Sequence, residues 1–333
     1  MSFLLLARRA SFALNLPSRL MTTRPSSFGI REISKISSEA EDMGFSMVTF
    51  GDSILTVPRP DPLMLLSSVA LISRKVLLGT CVMILPLRNP ILIAHQTATL
   101  DIVSGGRLVL MAGIGGAANA SEEIQYRNEA GAFNISYPKR GFVFDEQIQI
   151  IRKLWEGNSL TFRGKYFNLQ NVTMPIRPVK QNIPIIVSGN PWAKSSSTKE
   201  SVFKRVGRLG DGWITARASA EQFKEGWSAV RSAALQAGRD PSRFENWMLV
   251  GVSIPYNQHP NSDSKEFLNE FFQTEYPDRE IARIGPHGTA KEAEKYFESY
   301  LEVGLHNFVC RFDSFDQVDM IKSFSKDILP SFS

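Results

Sequence analysis

The residues Gly113-Ile114-Gly115-Gly116 could hold a ligand through their backbone. They end the apolar run Leu108–Ile114, which predicts a buried strand. Because glycine has no side chain, the backbone at this strand end can approach a ligand closely. Glycines alone also form ordinary flexible turns, so this pattern leaves both interpretations open.

A second polar segment, Ser188-Gly189-Asn190, ends the apolar run Ile183–Ser188 and leads to three consecutive serines, Ser195-Ser196-Ser197. The serines precede a predicted helix, Thr198–Leu209. Free backbone N–H groups at a helix start, together with hydroxyls, form an anion site. Ordinary helix capping needs only one of these hydroxyls, so phosphate binding and capping are both open.

The remaining reactive side chains form no recognisable catalytic or metal-binding pattern. Cys81 and Cys310 lie in apolar runs, which predicts inert, buried thiols in a reducing compartment. The four histidines have no metal-ligand spacing, and no Ser/His/Asp triad is evident. His95 shares a predicted apolar helix face with Ile91 and Ala98, which favours a packed histidine.

The segment Val76–Gly116 positions the glycine run. Two non-alternating apolar runs, Val76–Leu85 and Leu108–Ile114, predict strands buried on both faces. The segment between them has helical spacing and ends at Gly105-Gly106, a helix-termination signal. Strand, helix and strand form a right-handed unit of a parallel sheet, whose functional sites lie at the carboxyl edge.

The whole chain repeats this alternation, with strands predicted at Ser11–Leu16, Ser46–Phe50, Val76–Leu85, Leu108–Ile114, Ile183–Ser188, Trp213–Ala216, Trp247–Ile254 and Asn307–Phe312. Three other segments are a long loop, a hairpin and a polar insertion: Ala117–Lys139, Gly157–Gln181 and Pro255–Pro286. The pattern predicts an α/β fold, a (β/α)8 TIM barrel with an insertion after the seventh strand. A doubly wound sheet would give a similar pattern.

The totals fit one enzyme-sized domain. The chain has 333 residues, 43% of them hydrophobic, which allows a large core. Its net charge of +5 comes without a Lys/Arg run longer than a pair, so an anionic cofactor is favoured over nucleic acid. No apolar run reaches the ~18 residues of a membrane span. We therefore expect a cytoplasmic protein without a nucleic-acid or membrane partner.

The N-terminus supports two interpretations. The first 31 residues contain arginines and serines but no acidic residue, a composition typical of an organelle transit peptide. Alternatively, Ser11–Leu16 is the first barrel strand, which is needed because a helix follows. We predict a variable extension at 1–10 and a single barrel domain at 11–333.

An ordered set of motifs resembles the bacterial-luciferase-like flavin oxidoreductases: LPLRNP, QTATLD, SGGRLVL, GIGG, KRGFVFDEQIQIIRKLWEG, GKYFNL, IPIIVSG, RLGDGW and GTAKEAEKYFESYLEVGLHNFVCRF. The resemblance covers roughly residues 12–330. This superfamily includes alkanal and alkanesulfonate monooxygenases and deazaflavin-dependent dehydrogenases. The resemblance favours the barrel over the doubly wound sheet.

The resemblance also implies which residues contact a cofactor. Cys81-Val82 would form a strand bulge, often with a non-prolyl cis peptide, that supports the flavin ring. Residues near the ring or ribityl chain would be Gly113, Ile114, Gly115 and Asn119. Residues near the phosphate would be Ser188, Gly189, Asn190, Ser195, Ser196 and Ser197. Arg88 and Arg140 match family positions, where a structural ion pair and a functional contact are both open.

Two positions depart from the family pattern. Many relatives have Asp-His after the second strand, and this chain has Asp52-Ser53, so the aspartate matches and the histidine is absent. Deazaflavin dehydrogenases that act on sugar phosphates have a glutamate after the fourth strand, where this chain has Gly116. Both departures argue against that subgroup's acid–base pair but not against flavin binding.

The resemblance implies an oxidoreductase, and we expect first a monooxygenase that uses reduced FMN and O2 on a small organic substrate, with a flavin reductase as partner. The alternatives are an oxidoreductase dependent on the deazaflavin coenzyme F420 and a non-catalytic flavin-binding protein. Family members form dimers through helices after the early strands, so we expect a homodimer. Ala117–Lys139 and Pro255–Pro286 would cover the site as lids.

Overall fold

The computed structural model describes residues 9–26, 28–116, 120–191, 196–256 and 263–333. The strands are β1 Ser11–Leu16, β2 Met47–Phe50, β3 Leu77–Thr80, β4 Met83–Ile84, β5 Leu108–Gly113, β6 Leu160–Arg163, β7 Asn168–Val172, β8 Ile185–Ser188, β9 Gly212–Ala216, β10 Glu245–Val252 and β11 Asn307–Phe312. The helices are α1 Leu20–Thr23, α2 Ile30–Glu39, α3 Pro62–Ile72, α4 Pro90–Val103, α5 Ala120–Ala132, α6 Arg140–Glu156, α7 Ser196–Leu209, α8 Ala220–Gln236, α9 Ser264–Phe272, α10 Asp278–Ile284, α11 Ala290–Leu301 and α12 Gln317–Asp327.

The main sheet closes into a parallel barrel. Its strand order is β3-β2-β1-β11-β10-β9-β8-β5, and β3 pairs with β5 to complete the ring. The short β4 continues from β3 and also pairs with β5, so the two segments occupy one of eight barrel positions. The predicted (β/α)8 barrel is therefore confirmed, and the doubly wound alternative is wrong because that sheet has open edges.

Local signals place the helices that flank the site. The Asp61 carboxylate caps α3 by accepting from the Leu63 N–H at 2.9 Å. Asn89 caps α4 in the same way, accepting from the Ile91 N–H at 2.9 Å. The capping box predicted before α11 is present, with the Thr289 N–H donating to the Glu292 carboxylate at 2.8 Å.

Side-chain alternation leaves the upper end of the barrel open. One interior layer is apolar and is formed by Ala13, Met47, Val109, Met111, Ile186, Ile214, Trp247 and Val309. Two residues further along most of these strands, the same face carries small or polar residues, which include Asn15, Thr49, Gly113, Ser188, Ala216 and Arg311. The lower lumen is therefore filled, and the carboxyl end can hold a ligand.

Several predicted boundaries need correction. The strand predicted at Val76–Leu85 is divided into β3 and β4 at Cys81–Val82, whose peptide bond is cis. The loop predicted at Ala117–Lys139 is wrong, because α5 occupies most of it. The insertion Pro255–Pro286 contains α9 and α10. The hairpin is confirmed as the antiparallel pair β6–β7.

The chain start packs onto the barrel from residue 9 onward. The backbone N–H of Arg9 donates to the Phe332 carbonyl at 3.0 Å, and Ala10 is buried. Residues 1–8 of the predicted extension lie outside the described residues. Within the described ranges, no helix has the length and apolar character needed to cross a membrane.

Candidate active site

A cleft of about 220 Å³ opens at the carboxyl ends of the barrel strands. It brings together six of the sequence-predicted residues, namely Asp52, Cys81, Val82, Gly115, Ser188 and Asn190. Further lining comes from Arg59, Ile84, Gly116, Tyr126, Ile214, Thr215, Ala216 and Leu249. This is the edge where a parallel barrel places its functional groups.

The junction between β3 and β4 forms one wall of the cleft. Cys81 and Val82 both line it. Burial raises the pKa of the Cys81 thiol to about 12, so the thiol is neutral at physiological pH and serves packing rather than nucleophilic chemistry. Cys310 is also free and buried. Gly113 lies beneath this wall, where a Cβ would stand 3.1 Å from the Val82 Cγ2 and 3.2 Å from the Ser188 Cβ.

The glycine turn after β5 forms the adjoining wall. Gly115 has a φ of +73°, which favours glycine, and its carbonyl accepts from the Arg140 Nε at 3.1 Å. The Arg140 guanidinium stacks on the Tyr137 ring at 3.5 Å, and burial lowers its pKa. Arg140 therefore holds the turn in place. Ile114 lines a smaller recess beside the cleft.

The end of β8 contributes an oriented amide. The Asn190 Oδ1 accepts from the Thr215 hydroxyl and the Ala216 N–H, each at 3.2 Å. These bonds leave the Asn190 Nδ2, which has no partner among the described residues, available to a ligand. Gly189 has a packing role, because a Cβ there would overlap Val202 of α7. Whether Gly113, Ile114 and Gly189 touch a cofactor stays a prediction.

Asp52 lies in the cleft wall, but its carboxylate is occupied. Its two oxygens accept from the Arg88 guanidinium at 2.6 and 2.7 Å, and one also accepts from the Ile84 N–H at 2.8 Å. Burial raises the pKa of the Asp52 carboxyl, and the Arg88 charge opposes that rise. This geometry favours the structural ion pair for Arg88. It makes Asp52 a clamp between the end of β2 and β4.

Two predicted cofactor residues, Asn119 near the ring or ribityl chain and Ser195 near the phosphate, lie outside the described residues. The backbone of Ser196 and Ser197 begins α7, but their side chains are not described. Phosphate binding by the three serines therefore stays a prediction.

Sequence reasoning missed several lining residues. Arg59 lies in the Pro-rich loop after β2, which has no periodicity, and Tyr126 lies on the helix that was predicted as loop. Leu249 could have been found from alternation, because it is two residues beyond the interior Trp247. No group of three or more His, Cys, Asp or Glu side chains in the described part of the chain could hold a metal ion.

Residues 10–294 match the family described as luciferase-like monooxygenase. The chain belongs to the luciferase-like monooxygenase family. As a member, it has the non-prolyl cis peptide that the resemblance led us to expect at Cys81–Val82. It is an oxidoreductase of that family.

Curated relatives match the luciferase-like chain almost end to end. An F420-dependent glucose-6-phosphate dehydrogenase of Amycolatopsis mediterranei (strain U-32) is 28% identical, over 91% of this chain and 95% of the relative. A protein of the same name from Kribbella flavida (strain DSM 17836 / JCM 10339 / NBRC 14399) is 27% identical, over 91% and 94%.

Solved structures share the luciferase-like fold. Monooxygenase RslO1 from Streptomyces bottropensis superposes with a TM-score of 0.79 at 22% identity, covering 97% of this chain and 100% of that one. A coenzyme F420-dependent tetrahydromethanopterin reductase from Methanopyrus kandleri has a TM-score of 0.75 at 17% identity, covering 97% and 99%. At these identities the likeness establishes the fold.

The cleft suits a flat, partly polar ring. Val82, Ile84, Ile214 and Leu249 supply apolar surface, and a Cβ built at Gly116 would meet no atom of the described part of the chain within 4 Å. Ser188, Asn190 and Thr215 supply polar groups at one end. An apolar cleft with a few fixed polar groups is typical of cofactor sites.

Proposed function

We propose that this luciferase-like protein is an oxidoreductase that uses the deazaflavin coenzyme F420. The observation that carries the proposal is the end-to-end match to relatives named as F420-dependent dehydrogenases. The cleft adds support, because it combines the β3–β4 junction with a glycine turn at the strand ends. When bound, the deazaflavin supplies a carrier for a hydride.

The chain's own residues would hold and shield the ring. Val82 and Ile84 on one wall, with Ile214 and Leu249, would exclude water from the reacting face. The Asn190 Nδ2 would donate to a polar ring edge, because Thr215 fixes the other end of the amide. The serines at the start of α7 would bind the cofactor phosphate, as the sequence predicts.

The substrate chemistry differs from that of the sugar-phosphate dehydrogenases. Asp52 is followed by Ser53 rather than histidine, and its carboxylate is held by Arg88. Gly116 stands where that subgroup has a glutamate. We therefore propose that the chain shares a cofactor with these relatives but not their acid–base pair.

The missing acid–base pair favours a second candidate function, that of a monooxygenase using reduced FMN and O2. The described lining of the cleft contains no histidine, and its carboxylate is paired, so no ready base for alcohol oxidation is provided there. Oxygen chemistry at a shielded flavin needs no such base in the wall. A flavin reductase would then be the partner that supplies reduced FMN.

An anaerobic titration distinguishes the two functions. Purified protein would be titrated with reduced F420 and, separately, with reduced FMN, and O2 would then be admitted. We expect F420 to bind at least tenfold more tightly than FMN, with no substrate-independent O2 consumption. Tighter FMN binding followed by flavin oxidation would support the monooxygenase instead. Binding of either cofactor without turnover on any substrate would support a non-catalytic flavoprotein.

A further inference from the structure

Three arginines surround one aromatic ring at the upper end of the barrel. The guanidinium carbons of Arg19, Arg59 and Arg311 lie 5.6, 5.5 and 5.1 Å from the centroid of Phe271. Arg19 follows β1, Arg59 follows β2 and Arg311 lies on β11, and these strands are consecutive in the barrel. We call these residues the Phe271 arginine cluster. In the strand order it is centred on β1 and lies across the barrel from β8.

The positive charge of the cluster is only partly balanced. Arg311 donates to Asp313 at 2.6 Å, and Asp313 also contacts His287 at 3.1 Å. Arg19 donates to the Phe271 carbonyl, and its buried Nε has no partner in the described ranges. Arg59 forms no hydrogen bond or ion pair with any described residue. Among the described residues, Asp313 is the one carboxylate hydrogen-bonded to a guanidinium of the cluster, and the charge of Glu270 acts on Arg19 without a hydrogen bond.

Arg59 is the member of the cluster that reaches the cleft, where it lines the wall with Cys81 and Leu249. A Cβ built at Gly51 would overlap its guanidinium, so the glycine makes the room that this side chain occupies. The nearby Asp52 compensates this charge only in part, because both of its oxygens are bound by Arg88.

The surroundings make this arrangement costly without a ligand. Burial and then the charge of Arg59 lower the pKa of Arg19 to about 10. Burial lowers the pKa of Arg59, and the charge of Arg311 adds to the effect. Buried cations without partners destabilise a fold, and an anion with two oxygens would satisfy the planar guanidinium.

We propose that the Phe271 arginine cluster, through Arg59, binds an anionic group of the substrate. The substrates would be organic compounds that carry a phosphate, sulfonate or carboxylate group. This inference rests on the proposed oxidoreductase function. The cofactor's own phosphate has the same chemistry, but its predicted site is the start of α7, which follows β8 on the other side of the barrel.

The test uses inorganic phosphate as the probe and calorimetry on the full chain saturated with F420. We expect Arg59→Gln to weaken phosphate binding by about tenfold to a hundredfold. The phosphate affinity of Arg59→Lys should lie between those of the parent and Arg59→Gln, because lysine keeps the charge but loses the planar guanidinium. Arg243→Gln removes an exposed arginine and should bind phosphate as the parent does. Parent-like phosphate binding by Arg59→Gln would overturn the proposal.

Two further arms identify the source of the anion. If phosphate binds only when F420 is absent, and F420 affinity falls in Arg59→Gln, the cluster serves the cofactor and the substrate proposal is wrong. If neither F420 nor FMN binds but phosphate binding still depends on Arg59, the proposed function fails and the anion site stands. Melting temperatures check folding, and if Arg59→Gln does not fold, unchanged phosphate binding by Arg59→Lys refutes the proposal.

Discussion

The clamp formed by Asp52 and Arg88 can be tested by replacing Asp52 with asparagine. The Asp52 side chain is fully buried, and the Arg88 side chain is 13% exposed. Asparagine is nearly the same size and keeps one acceptor for the Ile84 N–H, so the change removes the charge and one oxygen acceptor. It leaves a largely buried guanidinium without its bidentate partner.

The structure sets the size of the effect. Removing one partner of a buried ion pair typically costs about 3–5 kcal/mol. Arg88 retains some solvent access and has Asp61 at 3.4 Å as a second carboxylate, which places this change lower, at about 2–3 kcal/mol. The control is Asp61→Asn. The Asp61 carboxylate is 44% exposed, and the amide of an asparagine at this position can still cap α3. It should cost less than about 1 kcal/mol.

Urea denaturation gives the free energy of unfolding of each variant. Adding Arg88→Met to Asp52→Asn should recover part of the loss, with a coupling energy of about 1–3 kcal/mol between the two sites. F420 affinity should also fall in Asp52→Asn, because the clamp fixes β4. Additive effects in the double variant, or a cost for Asp52→Asn no larger than that for Asp61→Asn, would refute the clamp.

Three further predictions concern the phosphate, the assembly and the pH response. Replacing Ser195–Ser197 together by alanine should weaken FMN about tenfold to several hundredfold and leave riboflavin unchanged, whereas pure capping predicts only about 1 kcal/mol of lost stability. Leu71 and Leu92 are 78% and 61% exposed on neighbouring helices. The double variant Leu71→Asp, Leu92→Asp should therefore convert the proposed homodimer to a monomer in sedimentation. A parent protein that is already monomeric would contradict the proposed dimer. Burial alone would raise the pKa of Asp313, but Arg311 and His287 outweigh burial and hold that pKa below its usual value. The stability that the charged Asp313 contributes should therefore be retained above the ordinary aspartate pKa of about 4 and be lost as the pH drops below it. Asp313→Asn should make this loss of stability smaller in acid denaturation.

Strand positions followed closely from the sequence where a buried apolar run was bounded by polar residues. Ser11–Leu16 and Asn307–Phe312 match the predicted bounds. The break at Cys81–Val82 could not be derived from residue types, because the apolar run continues through it, and only the family resemblance indicated it. Helix α5 was missed because its face is weakly apolar and contains Gly131.

The site depended more on distant contacts, which a local pattern does not encode. Asp52 was predicted as a site residue and lines the cleft, but its pairing with Arg88, 36 residues away, requires the barrel. Arg59 was overlooked because a Pro-rich loop carries no periodic signal. His95 was expected to pack, and that prediction is wrong, because α4 buries Ala94 and Ala98 and leaves His95 exposed.

The most direct test of the proposed F420 site is F420 binding by a protein whose cleft is blocked at Gly116. This glycine lines the cleft, and a Cβ there would meet no atom of the described residues within 4 Å, so Gly116→Leu should fold normally and occupy the cofactor's space. Gly131→Leu is the matched control, because Gly131 is equally unobstructed but lies away from the cleft on α5. We predict that the parent and Gly131→Leu bind F420 equally, and that Gly116→Leu loses at least a hundredfold in affinity with an unchanged melting temperature. Parent-like F420 affinity in Gly116→Leu would contradict the placement of the cofactor in this cleft, and no F420 binding by the parent would contradict the proposed function.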